Sequence, residues 1–250
     1  MYAPIRHLLP ILCLLLGTVG WAQQPTPPAE MPTDQQALDD YIRDYLLRHP
    51  EVVVEAIQRW QTQQAEAEAL AAAAALEERR EELLNAPGDP VLGNPDGDVT
   101  LVEFMDYNCG FCRQVHPLVE ELLAGDDRLR VVFKEFPVLG AGSVYASQAA
   151  LAAQQQGLYE SFHDAMMSTD QRLDEAQVLD IAGEVGLDVA QLQADMQNPV
   201  VQQTLARNLS LAQTLAVNGT PTFIVGGEIV RGATDLATLE RLVAEARSGE

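Results

Sequence analysis

A strand that runs straight into a cysteine pair is the strongest constraint in this chain. "DVTLVEFMDY", residues 98–107, is an apolar run of strand type, and "NCGFC" follows at once, with only Gly110 and Phe111 between Cys109 and Cys112. A helical pattern over residues 111–124 comes next. The pair therefore ends a buried strand and opens a helix. At such a point the unpaired backbone N–H groups and the helix dipole favour negative charge, so a thiol ionises below its usual value of about 8.5. Cys109 sits at the start and receives most of this field, while Cys112, one turn in, is shielded. Cys109 is expected to be the nucleophile, with Cys112 as the resolving thiol that closes the disulfide after a mixed-disulfide step.

The third cysteine does not compete. Cys13 lies in "LLPILCLLLGTVG", a short apolar run that follows the basic start "MYAPIRH" and precedes the small residues Gly20 and Ala22. These parts make residues 1–22 a cleavable secretory signal peptide, and the run is too short for a convincing membrane span. The expected location is the periplasm, an oxidising compartment, with Cys109 and Cys112 as the remaining thiols. Two other uses of the pair fit less well. A structural zinc site takes four ligands, usually from two paired clusters. Beyond the pair the exported chain offers only His49, His116 and His163, so neither metal nor cofactor is expected. An inert bridge across so short a loop would stabilise little, because the entropic gain falls with loop length.

Composition removes another class. With 37 acidic against 15 basic side chains the formal net charge is -22, which repels phosphate backbones and argues against nucleic-acid partners.

The remaining segments set the architecture. Residues 23–33, rich in Pro and Gln, read as a flexible tail. Residues 34–88 read as a helical segment: Asp34 caps its start, apolar residues recur at three- and four-residue steps, and Pro50 separates two helices. The Ala-rich stretch that follows reads as an exposed spacer. The apolar stripe over residues 35–60 has two possible fates, folding back onto the main domain or self-association. "NAPGDPVLGNPDGD" reads as a boundary. From residue 89 the pattern is α/β: a second strand in "LRVVFKEFPV", helices over 143–216, a hairpin with strands 222–225 and 228–231, and a closing helix with Asp235 near its start.

With these parts in place, residues 89–250 resemble the DsbA-like thiol–disulfide oxidoreductases of the thioredoxin superfamily. The resemblance rests on the CxxC, on Pro117 where such proteins kink the active-site helix, on "NGTPTF" as a cis-proline loop, and on the helical block at about 138–216. It implies an α/β thioredoxin fold with a helical insertion, here preceded by an N-terminal helical arm. It also implies that Thr220 and Pro221 present backbone to a bound peptide and that Phe111 tunes the pair or touches substrate. Glu103 would lie beneath the cysteines, where a buried carboxyl relays the proton of the resolving thiol. His116, past the pair on the helix, is expected at the surface, and Lys134 is expected to be a solvated lysine at a strand end.

"YIRDYLLRHPEVVVEAI" resembles the N-terminal segment of exported DsbA-like proteins of the ScsC (suppressor of copper sensitivity) type, which implies a homo-oligomer, a trimer favoured, formed through residues 35–60. Thr220 before the cis-proline and Gly110 after Cys109 resemble the isomerase type more than the dedicated oxidase. The activity implied is an exported disulfide isomerase or reductase acting on unfolded or misoxidised proteins, its pair recycled by a membrane redox partner. A disulfide-introducing oxidase is the alternative within that chemistry. A module that holds Cu(I) on two thiolates is the alternative outside it.

Overall fold

The computed structural model describes residues 34–249, so the expected signal peptide and tail lie outside the described residues. The chain divides into two units, residues 1–60 and 61–250.

In the first unit, Asp34 caps α1 (Gln35–Arg48) by accepting from the Ala37 N–H at 2.8 Å. Pro50 opens α2 (Pro50–Glu78), where its missing N–H leaves no bond unmade. Tyr41, Ile42, Tyr45, Val53, Ile57 and Trp60 remain exposed along these helices.

The second unit is built on a five-stranded sheet in the order β1-β3-β2-β4-β5. β2 (Val99–Met105) and β3 (Leu129–Glu135) pair in parallel at its centre, joined by α4 (Gly110–Gly125). β4 (Thr222–Val225) adds antiparallel to β2, and β5 (Glu228–Arg231) closes the hairpin at the sheet edge. Gly226 makes that turn at φ +64°, a left-handed conformation that costs glycine little. On the far edge, β1 (Val91–Gly93) pairs antiparallel with β3. This strand sits inside the stretch expected to be only a boundary. Three residues bounded by Pro and Gly give too short a pattern to read as a strand.

Side chains alternate across the strands, so each face has its own core. Leu101, Met105, Val131, Phe133, Phe223 and Val225 face α4, the closing helix α10 (Leu236–Ser248) and the insertion helices α5 (Ala141–Ala153), α6 (Tyr159–Met167), α7 (Glu175–Glu184) and α8 (Val189–Asp195). Val102, Phe104, Val132 and Ile224 face the other way, onto Leu211 and Leu215 of α9 (Pro199–Thr214 and the turn after it), Leu76 of α2 and Leu83 of α3 (Arg80–Asn85). The stretch read as an exposed spacer thus ends by covering a sheet face. Leu76 and Leu83 each contribute about 1.5–3 kcal/mol of burial to the second unit, which places its start before residue 89.

Lys134 corrects another expectation. It is 0% exposed rather than solvated. On the α9 face of β3, its ammonium donates to the Asp89 carboxylate and, at 2.8 Å, to the Glu82 carbonyl. Arg207 of α9 reaches the other Asp89 oxygen at 3.0 Å. Burial pushes the Lys134 amine down, and Asp89 opposes that. The network fastens α3 and α9 to the sheet.

Candidate active site

Four pieces of backbone converge on the cysteine pair. The first is the loop between β2 and α4. Asp106, fully buried, accepts from the Asn108 N–H at 2.8 Å with one oxygen, and from the Val138 and Leu139 N–H groups at 2.8 and 3.0 Å with the other. Its carbonyl accepts from the Cys109 N–H at 3.0 Å. Asn108 in turn grips Leu173, accepting from its N–H at 2.7 Å and donating to its carbonyl at 3.1 Å. The loop is therefore held to the insertion by buried polar bonds, and Cys109 is fixed as the N-cap of α4.

α4 is the second piece. Cys109 is buried, Cys112 is fully buried, and both are free thiols. Phe111 between them is 62% exposed. Pro117 lies inside the helix. The third piece is the loop before β4. The Thr220-Pro221 bond is cis, and the Cys109 sulfur lies 3.2 Å from the Thr220 carbonyl, which accepts from the thiol. The Pro221 carbonyl is taken by the Gly232 N–H at 2.8 Å.

The two thiols are driven apart. Cys109 is lowered to about 5, first by a hydrogen bond from Cys112, then by the Thr220 side chain and the Cys112 and Phe111 N–H groups, against the cost of burial. Cys112 is pushed far up by burial, by its bond to Cys109 and by the charge of Glu103. One sulfur is thus a thiolate at neutral pH and its neighbour the donor that stabilises it.

The fourth piece is the centre of the sheet. Glu103 shares the face of Leu101 and Met105, and burial raises it to about 8, helped by the Cys109 thiolate and Glu135. Glu135 was missed in the sequence. It aligns with Met105 across β2 and β3 and is fully buried on the same face. It accepts from Tyr107 at 3.0 Å, Tyr159 at 3.2 Å and Ser147 at 2.7 Å. Burial lifts it to about 8 in spite of those three donors. Its signal was available: it continues the parity of Val131 and Phe133 in "VVFKEF".

His116 corrects a third expectation. It is 6% exposed, packed edge to face on His163 of α6 with centroids 5.1 Å apart. Burial lowers both imidazoles, His163 to about 3, so neither carries a charge near the thiolate at neutral pH.

Comparison with known proteins follows this geometry. The family model "DSBA-like thioredoxin domain" matches residues 100–244, and "Copper resistance protein ScsC N-terminal domain" matches residues 34–67. A thioredoxin-like oxidoreductase from Silicibacter pomeroyi is 49% identical, covering 68% of this chain and 98% of that one with a TM-score of 0.67. The catalytic domain of Proteus mirabilis ScsC is 29% identical, covering 70% and 98% with a TM-score of 0.65. Among curated relatives, a Na(+)/H(+) antiporter NhaA from Herminiimonas arsenicoxydans is 32% identical over 67% of this chain, which spans only 28% of that protein. No helix among the described residues is long and apolar enough to cross a membrane.

Proposed function

The chain belongs to the DSBA-like thioredoxin domain family, and we propose that it is an exported thiol–disulfide oxidoreductase whose Cys109–Cys112 pair isomerises or reduces wrong disulfides in other proteins. One observation carries this reading: the Cys109 sulfur stands at the start of α4, 3.2 Å from the Thr220 carbonyl of the cis-proline loop, with Cys112 fully buried behind it, and its hydrogen bonds pull the Cys109 thiol down to about 5. The thiolate attacks a substrate disulfide, forming a mixed disulfide and releasing one substrate thiolate. If that thiolate attacks another disulfide of the substrate and the last one displaces Cys109, the result is isomerisation and the pair stays reduced. Otherwise Cys112 loses its proton to the Glu103 carboxylate and attacks the Cys109 sulfur. Reduced substrate leaves, and the pair becomes a disulfide that a membrane redox partner must reduce. A carboxyl titrating at about 8 is suited to that transfer near neutral pH.

Exposed Phe111 offers an apolar contact for unfolded protein, and Thr220-Pro221 offers backbone. The reduced pair is the working form of an isomerase, and the stabilised thiolate favours it. The exposed stripe of Tyr41, Ile42, Tyr45, Ile57 and Trp60 supports self-association through residues 35–60, a trimer favoured. Several reduced pairs around one substrate would raise the effective concentration of thiolate.

The test is reactivation of a protein with scrambled disulfides by the reduced chain, beside Cys109→Ser and a measured potential against glutathione. Reactivation lost in Cys109→Ser supports the reading. Oxidation of reduced substrates without reshuffling would make the chain an oxidase. No exchange, with tight Cu(I) on the two thiols, would make it a binding module.

A further inference from the structure

A second cluster of metal-ligating side chains lies where α4 meets α6. His116 and His163 bring their rings together there, and the Nε2 of each is buried with no hydrogen-bond partner among the described residues. Asp164, next to His163, holds Oδ1 3.5 Å from His116 Nε2. Glu120, one turn further along α4, holds Oε2 3.8 Å from the same nitrogen. One donor atom each from His116, His163 and Asp164 falls within 4.8 Å of the others.

Behind His163 lies a buried hydrogen-bonded group of Tyr107, Tyr159 and Glu135. The Tyr107 hydroxyl has one proton and donates it to Glu135 Oε1 at 3.0 Å. Its oxygen lies 2.9 Å from His163 Nδ1, and the Tyr159 oxygen lies 3.4 Å from the same nitrogen, so a proton on Nδ1 has hydroxyl acceptors in reach. With the proton on Nδ1, His163 Nε2 presents a bare lone pair, and that nitrogen is buried without a hydrogen-bond partner among the described residues. A hydrogen-bonded chain on the remote nitrogen is how proteins orient a ligating imidazole and fix its lone pair. A buried acceptor without a partner is otherwise rare.

We propose that His116 Nε2, His163 Nε2 and Asp164 Oδ1 bind a divalent transition-metal ion, zinc fitting best, with solvent completing its coordination. Imidazole nitrogens exclude magnesium and calcium, which take oxygen. Zinc bonds of about 2.0–2.2 Å in a tetrahedron separate neighbouring donors by roughly 3.4 Å, close to the 3.5 Å between His116 Nε2 and Asp164 Oδ1. The Asp164 and Glu120 side chains are partly exposed and open the cluster to solvent on one side, which gives an ion its way in. The ion would join the cysteine-bearing helix to the insertion without using either sulfur.

The experiment removes the thiols, which would otherwise bind zinc themselves. The full chain carrying Cys109→Ser and Cys112→Ser is titrated with zinc chloride by calorimetry, and with cobalt(II) to read the visible band of a tetrahedral site. One ion per chain and a tetrahedral cobalt spectrum are expected. Asp164→Asn, at the open rim, should keep the fold by circular dichroism and weaken zinc at least about 10-fold, as should His163→Gln; losses of about 10–100-fold accompany even the partners behind a ligand. No zinc binding by the thiol-free chain would overturn the proposal and leave a bridging water as the occupant. Binding unchanged in folded Asp164→Asn and in His163→Gln would overturn it equally.

Discussion

Replacing Glu103 by glutamine isolates the buried charge beneath the cysteines. Glutamine matches the protonated carboxyl in shape, so the two chains differ only where a carboxylate would form. In the folded, reduced protein that carboxyl titrates at about 8 instead of 4.5. Its folded value is raised, so its contribution to stability is fully present below pH 4.5 and is lost as pH rises toward 8. At 1.36 kcal/mol per pH unit, the loss reaches roughly 3 kcal/mol at pH 7 and about 5 kcal/mol above pH 8, both upper limits. Guanidinium unfolding of the reduced chains should therefore show equal stability at pH 4 and the Glu103→Gln chain ahead at pH 7 and 9. Oxidising the pair should narrow the difference, because the Cys109 thiolate is one of the charges that raises Glu103. The same substitution should slow resolution of a mixed disulfide, by up to about 10²-fold or more if Glu103 is the base for Cys112. A stability difference that is the same at pH 4 and pH 9, or a wild type that is the more stable at pH 9, would refute the reasoning.

Three further outcomes follow from the same contacts. Cys112→Ser should trap a mixed disulfide on Cys109, seen as a mass increase after a disulfide substrate is added, and Cys109→Ser should trap none. A chain beginning at Gln61 should fold and run as a monomer in light scattering while the longer chain is oligomeric. One beginning at residue 87 should lose several kcal/mol more, because Leu76 and Leu83 leave the sheet. Asp89→Asn should cost about 3–5 kcal/mol in denaturant unfolding, since it leaves the Lys134 ammonium buried without its carboxylate.

The central strands, the helix after the cysteines, the hairpin and its closing helix were legible because each carries its period over enough residues. Cys109 and Cys112 were legible from their spacing where a strand passes into a helix, and Pro221 from the resemblance of "NGTPTF" to a cis-proline loop. What escaped depends on partners remote in the chain. Lys134 reads as a strand-end lysine until the Asp89 carboxylate and the Glu82 carbonyl are known to converge on it. His116 reads as a surface residue until α6 is packed over it, and a polar residue in a helix shows nothing of that neighbour. Glu135 sits in phase with Val131 and Phe133, as Glu103 does with Leu101, and that parity could have marked it. The end of α2 was misread because an alanine-rich helix shows no stripe, and only Leu76 at its end and Leu83 of α3 betray that this stretch covers the sheet.

The claim on which the rest depends is that Cys109 alone is the activated thiolate. Its alkylation by iodoacetamide in the reduced chain, followed by mass spectrometry across pH, measures that directly. The account predicts modification at Cys109 with a midpoint near the value of about 5 set by its hydrogen bonds, and little at Cys112 throughout. A midpoint in the range of an ordinary thiol, or equal modification of both sulfurs, would contradict it.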